Sequence, residues 1–181
     1  MRKLLKSIVI CLVAAVAVVV GGAYVLPGEA YLSRNTVIAA PPEKVFAVTG
    51  DLKRFNEWSP WADIDPSSRY SFAGPATGIG QSMSWTSQHP DVGNGRQTIV
   101  EYVANAHTAA ELDFGAMGKA IATIDLEPVA GGTSVTWGFR ARLDGVMERW
   151  LGLLFDRWVG ADYEKGLAKL RRLIETPAEA G

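Results

Sequence analysis

Between Thr133 and Glu175 the hydrophobic repeat of the chain changes from two residues to three or four. Val135, Trp137, Phe139, Ala141 and Leu143 alternate with Thr136, Gly138, Arg140 and Arg142, which predicts a strand with one dry and one wet face. After Asp144-Gly145, Leu151, Phe155, Val159, Tyr163, Leu167, Leu170 and Ile174 recur at helical spacing as far as Glu175. Met147, Trp150, Leu154 and Trp158 form a second stripe confined to the first half, so the apolar arc is wide there. A strand running directly into a long amphipathic helix requires the helix to cover a sheet.

The rest of the sheet is read from similar patterns. Tyr31 to Ala39 predicts a first strand that stops at Pro41-Pro42, where proline and Glu43 suit the first turn of a helix carrying Val45, Phe46 and Val48. Gly50 breaks that helix, and Asp51 caps a second short one reaching Asn56. Strands follow at Arg69–Phe72, Gly80–Gln88, Gln97–Ala104, Ala109–Phe114 and Lys119–Leu126, with a hairpin loop at His89–Gly95 and a turn at Gly131-Gly132. The expected fold is α+β: a curved antiparallel sheet of about six or seven strands around a long C-terminal helix. A bent sheet closed by one helix leaves space between them, the natural place for a ligand.

A different segment comes first. Arg2, Lys3 and Lys6 precede an uncharged run from Ile8 to Leu26. As a helix it would be about 28 Å long, enough to cross a bilayer core. The cations place the N-terminus in the cytoplasm and the domain outside, as a single-pass protein of the inner (plasma) membrane with a periplasmic domain. A cleaved signal peptide is the competing reading, with Gly28-Glu29-Ala30 as a passable cleavage site. Residues 1–30 are therefore expected to be anchor and linker, and residues 31–181 one domain. Cys11, the single cysteine, lies within the apolar run, which leaves the domain free of thiols.

Composition excludes several classes. A net charge of -1 leaves no electrostatic footprint for nucleic acid. Two histidines, His89 and His107, have no further ligand at metal spacing, so no metal and no cofactor is expected. No Gly-x-Ser-x-Gly elbow occurs, and Gly78-Ile79-Gly80 opens a strand and has no helix after it to bind phosphate.

The element order, together with particular residues, resembles the START-like (SRPBCC) helix-grip superfamily, in its polyketide cyclase/dehydrase-type branch with an N-terminal membrane segment. The residues are Ile38-Ala39-Ala40-Pro41-Pro42-Glu43-Lys44-Val45-Phe46, Trp58-Ser59-Pro60-Trp61, Gly93-Asn94-Gly95, Gly131-Gly132-Thr133-Ser134-Val135-Thr136-Trp137 and Gly160-Ala161-Asp162-Tyr163-Glu164-Lys165-Gly166-Leu167. The resemblance implies a helix-grip fold and a cavity for hydrophobic small molecules or lipids, in which some members catalyse cyclisation or hydrolysis.

Candidate ligand contacts follow from alternation and aromatic content. Met83, Trp85, Phe114, Trp137 and Phe139 are placed on the cavity wall, with a solid core as the alternative. Trp58 and Trp61 either close one mouth or cap the end of the sheet. Leu154 and Trp158, with Trp150, either pack under the sheet or form an entrance lip facing the membrane. Glu111 and Asp113 share a strand face; pairing with Arg140 and Arg142 on the outer surface is simpler than acid–base catalysis. The expected function is binding of an apolar small molecule or lipid by a domain held at the membrane through residues 8–26. The alternatives are a cyclase/dehydratase or hydrolase using the same cavity, and a membrane interaction or stress protein whose cavity is filled.

Overall fold

The computed structural model describes residues 2–176. The last residues of the expected domain, 177–181, lie outside that range. Helix α1 (Arg2–Ala23) comes first, followed by β1 (Glu29–Ile38), α2 (Pro42–Thr49), a 3-10 segment at Leu52–Glu57 and the short α3 (Trp61–Ile64). Six strands come next: β2 (Arg69–Ala73), β3 (Ser82–Thr86), β4 (Gly95–Val103), β5 (His107–Asp113), β6 (Lys119–Val129) and β7 (Gly132–Arg142). Helices α4 (Val146–Gly152) and α5 (Phe155–Glu175) are the last elements of the described residues.

All seven strands form one antiparallel sheet in the order β1-β7-β6-β5-β4-β3-β2. The first strand therefore pairs with the last, Leu32 opposite Phe139 and Arg34 opposite Trp137. Directly opposed residues share a face. The inward face accordingly carries Leu32, Arg34 and Ile38 of β1, Val135, Trp137, Phe139 and Ala141 of β7, and Ala120, Ala122, Ile124 and Leu126 of β6. It continues through Ala110 and Leu112 of β5 to Gln97 and Met83. A bulge between Ile99 and Glu101 shifts the register of β4 on β5.

Helix α5 packs along β1, with Tyr163, Leu167, Leu170 and Ile174 buried against the sheet. Two glycines let it approach. A Cβ on Gly166 would stand 2.7 Å from the Trp137 ring, and one on Gly160 would stand in the Arg34 guanidinium.

The long C-terminal helix differs from expectation in one respect. It breaks at Leu153-Leu154, and its first part is the separate helix α4. Gly152 of α4 is pressed onto Leu143, with 2.5 Å between a Cβ placed there and Leu143 Cδ1. Its polar anchors point elsewhere. Arg149 donates from Nε to Leu143 O (3.1 Å) and from Nη1 to Ala23 O (3.1 Å), and Trp150 Nε1 donates to Val19 O (3.0 Å). Gly22 lies under the Trp150 ring. Helical periodicity continues across the break, which is why the sequence reads as one helix. Asp51 does cap the segment after α2, through Lys53 N at 2.9 Å, but that segment is 3-10 in form.

Candidate functional site

The sequence places nine residues at one ligand site; the fold distributes them over three places. Trp58, Trp61 and Trp137 come together beside α3, against the middle of α5. Trp137 stacks on Tyr163 with centroids 3.8 Å apart at 19°, and Trp58 meets Trp137 edge-on at 4.8 Å. Phe55 and Trp61 add further edge contacts. Trp58, Trp137 and Tyr163 are almost wholly buried, so this part of the sheet–helix space is filled by rings. Burial pushes the Tyr163 phenol well above its usual pKa, leaving it neutral.

Met83 is buried in a smaller cluster with Leu52 and Ile99. Trp85 lies beside it, over Gly95, with Nε1 donating to Val92 O (3.4 Å) and its ring 6.0 Å from Phe114. Phe139 lies nearer α4, stacked on Phe155 at 4.7 Å.

Between these groups the inward face stays partly open. Ala110, Ala122 and Ala141 point inward yet are only half-buried, as are Phe114, Trp85, Phe155 and Val159. Phe114, Ala122, Ala141, Phe155 and Val159 pack against the main core cluster while keeping part of their surface exposed. Leu154 and Trp158 are 42% and 54% exposed, so of the two readings of that stripe the one that packs them beneath the sheet fails for both, while Trp150 is half-buried against α1.

Apart from Arg34, the charged groups lie away from this surface. Arg34 is the inward cation: Nη1 meets Asp156 Oδ1 at 2.9 Å and Nε donates to Glu164 Oε1 at 2.8 Å, tying β1 to α5. Glu111 and Asp113 face outward, and their partner is Lys119 (2.8 and 3.8 Å), not the expected Arg140 and Arg142. No Asp or Glu among the described residues is buried. His107 lies 2.6 Å from Asp125, and His89 Nδ1 accepts from Asp91 N. Among the described residues no cluster of His, Cys, Asp and Glu suits a metal. A cleft of about 180 Å³ between α3 and α5 is lined by Pro60, Asp63, Ile64, Asp162, Lys165 and Lys169, where Lys169 bonds Asp63 at 2.7 Å.

Sequence reasoning put Tyr163 and Phe155 on the covering stripe of the C-terminal helix without singling them out for this site, and it gave Arg34 no place in the interior. The first two lie on the α5 stripe but gave no sign of which rings they would meet. Arg34 alternates in phase with Leu32, which marks it as inward, while its partners are more than a hundred residues away.

A sheet gripping one long helix, with an apolar interior between them, defines a helix-grip domain. The chain belongs to the polyketide cyclase/dehydrase and lipid transport family, whose model matches residues 30–175. None of the curated proteins matches it. Among solved structures it is similar to a protein from Rhizobium leguminosarum (19% identity, TM-score 0.60, covering 81% of this chain and 95% of that one). It is also similar to the di-domain ARO/CYC StfQ of the steffimycin biosynthetic pathway (12%, 0.61, 81% and 51%). The Aha1 dimer from Colwellia psychrerythraea shares the fold as well (15%, 0.55, 80% and 96%). At these identities the likeness is one of fold.

Proposed function

We propose that this chain is a membrane-anchored helix-grip domain that holds an apolar small molecule or lipid against the inward face of its sheet. The observation that carries the reading is the half-open interior, where Ala110, Ala122 and Ala141 of the inward face and Phe114, Phe155 and Val159 stay partly exposed. Binding would be driven by removing apolar surface from water, about 25 cal/mol per Å² before the costs of association. The family's link to lipid transport supports the ligand class. Helix α1 supports the anchor: Lys6–Ala23 is long and apolar enough to cross a membrane, and the cations before its apolar run favour a cytoplasmic N-terminus with the domain on the other side.

The test is energy transfer from the tryptophans to cis-parinaric acid added to the full chain in nanodiscs, corrected for empty nanodiscs. Saturable transfer, competed by oleate and lost in Ala122→Trp, is expected. Transfer no greater than that of empty nanodiscs would refute the carrier reading.

The packed cluster of Trp58, Trp137 and Tyr163 favours a second reading, a domain with a filled interior that acts through its surface. A failed titration would move the weight there. Cyclase or dehydratase chemistry in the same space would need an acid or base beside the substrate. Tyr163 is the one buried ionisable side chain among the described residues, and it is held neutral.

A further inference from the structure

Two independent features meet at α4. The first is an uncovered apolar stripe. Met147, Leu151, Leu154 and Trp158 follow one another at spacings of four, three and four, cross the α4–α5 break without losing phase, and are 63%, 48%, 42% and 54% exposed. Leu153 beside them is 55% exposed. Single exposed apolar residues are ordinary on a protein surface; a contiguous run is not.

The second is the fixed attachment of α4 to the end of α1. The Arg149 guanidinium bonds both Ala23 O and Leu143 O, so one side chain joins the last turn of α1 to the end of β7. A cation at that position also suits the negative end of the helix dipole. Trp150 donates to Val19 O one turn earlier, with its ring over Gly22, where a Cβ would come within 2.7 Å. The linker from Tyr24 to Gly28 is thus not the only connection between α1 and the domain.

Together these set the level of α4. The 18 residues Lys6–Ala23 rise about 27 Å at ~1.5 Å each, close to the thickness of a hydrocarbon core. When α1 spans the bilayer, Ala23 reaches the boundary between acyl chains and headgroups. Arg149 and Trp150, bonded to α1 there, lie at the same boundary, the level at which tryptophan and long cationic side chains are favoured. Tyr24 and Val25, both strongly exposed, lie there too.

We infer that α4 and the first turn of α5 form a membrane-docking surface whose partner is the bilayer in which α1 sits. The stripe Met147, Leu151, Leu154 and Trp158 enters the headgroup–acyl boundary, and the open rim of the inward face at Phe155 and Val159 is thereby turned toward lipid. The inference rests on the anchored reading of α1 proposed above, but it does not require that any ligand be bound.

The test uses the full chain reconstituted into vesicles of phosphatidylethanolamine and phosphatidylglycerol. In a Cys11→Ser background, Met147→Cys, Leu151→Cys and Leu154→Cys are each spin-labelled, with Val103→Cys at the exposed β4–β5 turn as an aqueous reference. Collisional relaxation by oxygen and by nickel chelate reports depth. Labels at 147, 151 and 154 are expected in the boundary zone, ~5–10 Å into the headgroup/acyl region, with Val103 in water. Labels that match Val103 overturn the inference, and so does release of the chain from the vesicles by alkaline carbonate. Arg149→Ala combined with Trp150→Ala, which removes the attachment to α1, is expected to make the depths at the three positions shallower; unchanged depths would remove α1 as the device that sets them. Failure of parinarate binding with the labels still buried would refute the carrier reading and leave the docking surface standing.

Discussion

The Trp137 ring occupies the space that a side chain on Gly166 would need, with 2.7 Å between its Cζ3 and a Cβ built there. Helix α5 approaches the sheet as closely as it does because this position has no side chain. Pro60 Cδ lies 3.2 Å from the same point, so a methyl group there would be crowded from both Trp137 and Pro60. Gly166→Ala should therefore destabilise the domain, although alanine is worth ~1 kcal/mol more than glycine in helix propensity. Overpacking at such a site costs ~1–3 kcal/mol and outweighs that gain. Urea unfolding followed by near-ultraviolet circular dichroism checks this; a rise in the midpoint would contradict it.

Trp58 is buried at the centre of the same cluster, and its Nε1 finds no acceptor among the described residues. Trp58→Ala should cost ~3–5 kcal/mol by leaving a cavity. Trp58→Phe keeps an aromatic ring and loses no hydrogen bond to the described protein, so its cost should be clearly smaller. The two midpoints, compared in one denaturant series, decide the matter.

Gln81 is fully buried and makes three bonds: Nε2 donates to Asp51 Oδ1 (2.6 Å) and Ala76 O (2.7 Å), and Oε1 accepts from Leu52 N (3.0 Å). It fixes the start of the 3-10 segment against the loop before β3. Gln81→Leu would strand Leu52 N, at about 1–3 kcal/mol for a buried group left without a partner. Hydrogen exchange should then quicken at Leu52 with little change at Leu170 in α5.

Asp65 gives the domain an acid-sensitive tie. Its carboxylate accepts from the Ser67 hydroxyl, the Ser87 hydroxyl, Ser67 N and the Ser68 hydroxyl, which holds its pKa down to about 2. The folded-state value lies below the ordinary 3.8. Its contribution to stability is therefore fully present above about pH 4 and is lost as the pH falls through about 2. Thermal midpoints of the wild type and Asp65→Asn should differ at pH 6 and converge toward pH 2. A gap of constant size across that range would contradict the assignment.

The sheet was legible because its signal is local. Thr133 to Leu143 shows its inward and outward faces by alternation, and β7 forms with that phase. Pro42 and Glu43 marked the start of α2 for the same kind of reason. Distribution in space was not legible. Trp85 and Trp137 both alternate inward, yet one covers Gly95 near β2 and the other stacks on α5, because the sheet is several strands wide. The break at Leu153-Leu154 was hidden because apolar spacing stays in phase through it. Leu154 and Trp158 show the limit most plainly: periodicity marks a shared face, but whether that face meets protein or solvent depends on where α4 turns.

The pairing of β1 with β7 also orders events in time. Glu29 meets Arg142 across nearly the whole domain. A chain made from its N-terminus must therefore hold β1 without its strand partner until the last strand is available, and the helix that covers it comes later still. Contacts so distant in sequence close slowly and leave strand edges open to other chains meanwhile. If α1 lodges in a bilayer first, β1 waits beside that membrane, its search for β7 confined to a half-space and its apolar face close to the lipid surface.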